Sequence, residues 1–213
     1  MTERWTLYAA PMTCAMAVHA ALLEAGLEPE RDFEVRWVHR GPGRQIAEAE
    51  FAALNAKRRV PCLVTPDGEL LTEIVGVLAH LDTLHGPPRS PAERRRLIEW
   101  LAFVATEFHQ AILGPMFDPQ SPEAAKADGA QRLLPPLLEV VAAHLETRDF
   151  AVGASPSGAD YYLGWALALA RFGAREAVAH PALLAYLERL SAIEGFQKAQ
   201  AINLERYRAL AVA

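Results

Sequence analysis

The sequence predicts an α/β domain followed by an all-α domain, on three observations. Short period-two apolar runs alternate with helical patterns as far as residue 85. The stretch His85-Gly86-Pro87-Pro88-Arg89-Ser90-Pro91 then holds three prolines and a glycine, which neither a helix interior nor a central strand accommodates. Beyond it every long segment has a helical period. The domains so implied are residues 1–85 and 91–213, joined by a linker at 86–90.

Trp5–Ala9 reads as a first strand and Cys14–Ala25 as a helix ending at Gly26. Phe33, Val35 and Trp37 alternate with charged residues, as in a half-buried strand. Gln45–Leu54 is helical, Val60–Thr65 a short strand, Pro66-Asp67-Gly68 a turn and Glu69–Leu71 the returning strand. Glu73–Leu84 is a third helix. The order is β-α-β-α-β-β-α. The first strand pair needs a crossover and is therefore parallel, while the hairpin makes the last pair antiparallel. That is a thioredoxin-like pattern. In the helical bundle domain, Leu97, Leu101, Val104, Phe108 and Ile112 form one apolar stripe, and Leu133, Leu137, Val141 and Leu145 another. Tyr162–Arg171, Leu183–Leu190 and Phe196–Leu210 are further helices. Ser157 and Asp160 have the spacing of a capping box.

Composition excludes several functions. The chain has 213 residues, 52% of them hydrophobic, which is too much apolar material for disorder. A net charge of -5 argues against a nucleic-acid partner. Two cysteines make neither a disulfide framework nor a four-thiolate zinc site, and no metal is expected. The apolar stretch Thr6–Leu23 is interrupted by Pro11, Thr13–Cys14 and His19 and lacks a basic start, so it does not read as a secretory segment; no membrane association is expected. A cytoplasmic location is expected, where free thiols persist.

Cys14 follows the first strand and opens the first helix. Unpaired N–H groups and the helix dipole there favour a thiolate and lower the thiol pKa. The other reading is a small apolar residue in the core. Ala17 stands where a resolving cysteine would be, which argues against a dithiol oxidoreductase. Cys62, in an apolar strand, reads as core. Val60-Pro61 breaks a strand where a cis bond would leave the preceding backbone free to pair with an extended ligand. Tyr8 reads as core. His109, beside the stripe through Phe108, reads on its own as a satisfied interdomain residue.

Together these residues resemble the cytosolic glutathione S-transferases, most of all the bacterial beta class. The resemblance lies in Leu7–Gly26 (LYAAPMTCAMAVHAALLEAG), Val60–Leu81 (VPCLVTPDGELLTEIVGVLAHL), Ile98–Pro119 (IEWLAFVATEFHQAILGPMFDP) and Gly153–Tyr162 (GASPSGADYY), in the family's order across both domains. It implies an enzyme that conjugates the glutathione thiolate to small hydrophobic electrophiles, with glutathione as co-substrate and a homodimeric assembly. Cys14 then matches the cysteine beside the glutathione sulfur. Val60 and Pro61 match the cis-proline pair whose backbone takes the cysteinyl part. Glu73 matches the acid at the γ-glutamyl end, where the N–H of Ile74 also donates. His109 matches the histidine reaching the site from the helical domain, Glu107 an acid acting across the dimer interface, and Arg44 a cation for the glycyl carboxylate. Ile74, Ala102, Gln110, Ala15 and the run Asn55-Ala56-Lys57-Arg58-Arg59, which replaces Asn-Pro-Lys-Gly-x, depart from the family pattern. Two other activities fit the same frame: thiol–disulfide exchange through a mixed disulfide at Cys14, or a non-catalytic ligand- or partner-binding module.

Overall fold

The structure is a computed structural model that describes residues 4–41 and 45–212. By its contacts the chain divides into two compact units, Met1–Gly86 with Ile193–Ala213, and Pro87–Ala192.

The first unit is built on a four-stranded mixed sheet of order β2-β1-β3-β4: β1 Trp5–Ala9, β2 Phe33–Trp37, β3 Cys62–Val64 and β4 Leu70–Thr72. β1 pairs parallel with β2 (Trp5 opposite Phe33), while β3 runs antiparallel to both β1 and β4. This is the expected topology. Its helices are α1 Ala15–Glu24, α2 Ala49–Leu54 and α3 Ile74–His85. α2 is shorter than expected. The segment before it is extended, with Ile46 bridged to Arg40 and its N–H given to the Arg58 carbonyl at 3.0 Å. The strand expected over Val60–Thr65 keeps only Cys62–Val64 in the ladder, because Val60-Pro61 is a cis peptide and Thr65 turns to close the hairpin. Tyr8, opposite Cys62, joins Phe51, Val38 and Ile46 in one core layer. Alternation turns Leu7 and Leu63, both wholly buried, to the other face.

Seven of the ten residues of α1 are buried. A helix apolar on so many sides needs more cover than one sheet and one helix provide. The cover is α10, Glu194–Val212, which packs along α1 with Phe196, Ala199 and Asn203 buried. The N–H of Gly195 also donates to the Glu24 carboxylate. The sequence reading places this helix with the second domain by chain order; its packing belongs to the first unit.

The second unit begins with α4, Pro91–Phe103, capped by Ser90 and Glu93: the Glu93 N–H donates to the Ser90 hydroxyl at 3.2 Å and the Ser90 N–H to the Glu93 carboxylate at 2.8 Å. α4 runs directly into a π-helical segment, Val104–Leu113, and a short α5, Gly114–Met116. α6 Glu123–Asp128 passes through a second π-helical stretch, Gly129–Leu133, into α7 Leu134–Leu145. α8 Gly158–Gly173 and α9 Pro181–Ser191 complete the unit. At the start of α8 the expected capping box forms around a wholly buried Asp160. Its carboxylate accepts from the Ala151 N–H at 2.7 Å, the Ser157 N–H at 2.9 Å, the Ser157 hydroxyl at 2.7 Å and the Tyr186 hydroxyl at 2.8 Å.

Candidate active site

Sheet topology decides which residues meet in the first unit. β1 and β2 are parallel, so the segments leaving Ala9 and Trp37 emerge at the same edge; the Val38 N–H bonds the Ala9 carbonyl at 2.9 Å. β3 runs the other way, so its entry, Val60-Pro61, lies at that edge as well. β4 reverses again and delivers Glu73 and Ile74 there. The carboxyl edge of parallel strands is where open α/β sheets collect ligands. Four segments distant in sequence thus converge on the edge that holds Cys14.

The turn before Cys14 is held by Thr13, whose N–H and hydroxyl both donate to the Ala10 carbonyl, at 3.3 and 2.7 Å. Cys14 occupies the N-cap of α1, 5% exposed, with its Sγ 3.9 Å from the Val60 carbonyl oxygen. Burial pushes its thiol up to about 12; the Arg40 charge and the N–H groups of Cys14 and Ala15 pull the other way, and Glu73 reinforces burial. The thiolate expected from the helix start is therefore not favoured here, because desolvation outweighs the dipole. Cys62 is wholly buried, accepts from Asn55 Nδ2 at 3.2 Å, and is also pushed up, to about 11. It packs in the core layer as expected, and both thiols are free.

Glu73 is the N-cap of α3, with φ +65° and an exposed side chain. Its carboxylate pairs with Lys57 Nζ at 2.6 Å, and the same ammonium donates to Thr72 Oγ1 at 2.8 Å. Ile74, the first residue of α3, is buried. Its N–H belongs to a helical turn whose donors have no intrahelical partner. Arg44 lies outside the described residues. Arg40 and Lys57 were not singled out from the sequence as site residues. The signal that could have found Arg40 is the parallel pairing of β2 with β1, expected from the sequence, which carries the segment after Trp37 to the same edge as Cys14.

In the second unit, Glu107 and His109 both lie on the π-helical segment. Glu107 is exposed and accepts from Thr106 Oγ1 at 3.3 Å. His109 is half-buried, with Nδ1 2.6 Å from the hydroxyl of Tyr162, and its ring meets Trp165 edge-on at 4.8 Å. Ala102 and Gln110 are exposed. Among the described residues no cluster of three or more His, Cys, Asp or Glu is placed to hold a metal ion. Among them, too, no helix is long and apolar enough to cross a membrane.

Residues 11–84 match the glutathione S-transferase N-terminal domain and residues 104–194 the C-terminal domain of the same enzymes. Glutathione S-transferase GstA of Escherichia coli O157:H7 is 32% identical over 162 residues, covering 74% of this chain and 78% of its own. The chain belongs to the glutathione S-transferase family. Among solved structures, a sphingomonad glutathione S-transferase complexed with glutathione matches with TM-score 0.81 and 31% identity, over 93% of this chain and 98% of that one. The bacterial beta class glutathione S-transferase of Sphingomonas chungbukensis matches with TM-score 0.81 and 29% identity, over the same shares. The family resemblance read from the sequence is thereby established, and with it the fold and the enzyme class: a glutathione transferase.

Proposed function

We propose that this glutathione transferase binds glutathione along the carboxyl edge of its sheet and conjugates the thiolate to small hydrophobic electrophiles. The observation that carries the reading is the convergence there of Cys14, Val60-Pro61, Glu73 and Ile74 from three segments. An extended tripeptide pairs with the Val60 backbone as an added strand. Its γ-glutamyl carboxylate takes the Ile74 N–H at the start of α3, where the helix dipole favours an anion. Its ammonium takes the Glu73 carboxylate in place of Lys57. Arg44 is assigned to the glycyl carboxylate by resemblance.

Cys14 acts in this scheme as a neutral S–H donor. Held up near 12, it keeps its proton at pH 7 and hydrogen-bonds the glutathione thiolate, which is the nucleophile. The glutathione sulfur forms the new C–S bond, and the leaving group departs with its electron pair. His109 is assigned a hydrogen bond to that sulfur, and Glu107 a contact to the glutathione of a second copy in a homodimer. Thiol–disulfide exchange needs a Cys14 thiolate, which burial opposes. A cytoplasmic location suits two free cysteines and a thiol co-substrate.

The test combines retention on immobilised glutathione with conjugation to a dinitrochlorobenzene electrophile. Wild type is expected to be retained and active. Glu73→Gln should raise KM for glutathione about tenfold, the scale of one charged hydrogen bond. Cys14→Ala should still bind but lose kcat. A wild type neither retained nor active would overturn the proposal.

A further inference from the structure

Three rings meet in the helical unit between the π-helical segment and α8. Tyr162 is wholly buried and Trp165 is 4% exposed. They lie three residues apart on one face of α8, with ring centroids 5.8 Å apart and nearly parallel planes. His109 stands edge-on to both, at 5.9 Å from Tyr162 and 4.8 Å from Trp165. Its Nδ1 is 2.6 Å from the Tyr162 hydroxyl oxygen. The π-helical backbone fixes the histidine in this register: the Gly114 N–H reaches back five residues to the His109 carbonyl.

A neutral imidazole has one nitrogen that donates and one that accepts, and the partner of one nitrogen decides the tautomer. A phenol is a good donor and its oxygen a poor base, whereas an unprotonated imidazole nitrogen is a good acceptor. The bond therefore runs from the Tyr162 O–H to Nδ1, which leaves the ring proton on Nε2. We infer that Tyr162 is a positioning residue that holds His109 in its Nε2–H tautomer, so that the edge away from Tyr162 presents a donor and not a base. Ring orientation and proton position are set together, since turning the ring over would break the Nδ1 bond. For conjugation this consequence rests on the role proposed above for His109: a donor at Nε2 stabilises an anionic sulfur, whereas a bare nitrogen there would take the proton from the thiol.

Two-bond proton–nitrogen correlation spectra of the histidine side chains test this in the full chain, with the His109 signals assigned from His109→Gln. Wild type is expected to show the proton on Nε2 in the neutral ring, and Tyr162→Phe to show a mixture or the reverse. A wild-type ring protonated at Nδ1, or an unchanged tautomer in folded Tyr162→Phe, overturns the inference. In conjugation assays Tyr162→Phe should lower kcat as far as His109→Ala does, with KM for glutathione within about twofold, and the double variant should fall no further. His109→Gln, whose amide can donate from near the position of Nε2, should keep most of kcat and be indifferent to Tyr162→Phe. If His109→Ala leaves kcat unchanged while the tautomer behaves as expected, the sulfur role of His109 is lost and the positioning by Tyr162 stands. If Tyr162→Phe does not fold, the wild-type spectrum alone decides.

Discussion

The thiol of Cys14 sits where two electrostatic effects oppose each other. A helix start stabilises a negative charge by about 0.3–1 kcal/mol, up to roughly 2 in a partly buried setting. Burial raises the thiol from 9.0 to about 12, a shift worth roughly 4 kcal/mol against the charge after the dipole has acted. Alkylation of the folded, glutathione-free protein by iodoacetamide should therefore climb about tenfold per pH unit from pH 7 to 10, without a plateau. A plateau below pH 8 at Cys14, mapped by peptide mass, would show an ionised thiol and contradict the neutral-donor role. The linked stability has a definite sign: the folded pKa is raised, so the contribution is complete below pH 9 and lost as pH rises toward 12. The position of Cys14 was legible in the sequence, as a thiol between a strand and a helix. Its burial was not, because the carbonyl beside its sulfur belongs to Val60, 46 residues on.

Helix starts in the second unit show how one motif has different value in different surroundings. Ser90 and Glu93 form an exposed capping box, and Ser157 and Asp160 a buried one. Ser90→Ala should cost about 0.5–1 kcal/mol and Ser157→Ala about 1–2, in the usual range of a lost cap. Asp160→Ala should cost more than either, at least about 3 kcal/mol. It strands the Ala151 and Ser157 N–H groups and the Tyr186 hydroxyl in the interior. Urea unfolding of the three variants checks the order, and a Ser90→Ala cost equal to that of Asp160→Ala would contradict it. Ser157-x-x-Asp160 was readable because an apolar helix follows it. Ser90-Pro91-Ala92-Glu93 has equivalent spacing, but its prolines read as linker, although Pro91 is the favoured first helical residue. The π-helical segment was not readable at all. Val104, Phe108 and Ile112 are buried at steps of four, which an α-helix would give as well.

At the scale of the whole molecule, order along the chain and order in space part company at α10. Its helical pattern was plain from Phe196 to Leu210, but nothing local says which unit it covers. That follows from α1, whose apolar residues face several directions at once. Deleting residues 193–213 should uncover that face and remove the burial of Phe196 and Ala199. A loss of about 3–4 kcal/mol from those side chains would lower the thermal midpoint by roughly 10 °C. Calorimetry of the truncated chain checks this, and an unchanged midpoint would show that α10 is not a structural part of the first unit.

The return of the chain also bears on how the protein is made. Glu24 and the Gly195 N–H that bonds it are 171 residues apart. At about 5–20 residues per second, the ribosome needs on the order of 10–30 s to cover that distance. Throughout that interval the apolar flank of α1 lacks the cover that α10 gives it, and such transiently exposed surface is where nascent chains aggregate. The helical unit, Pro87–Ala192, is contiguous and can close before the last helix emerges. On the ribosome the half that is begun first is thus the half that is finished last.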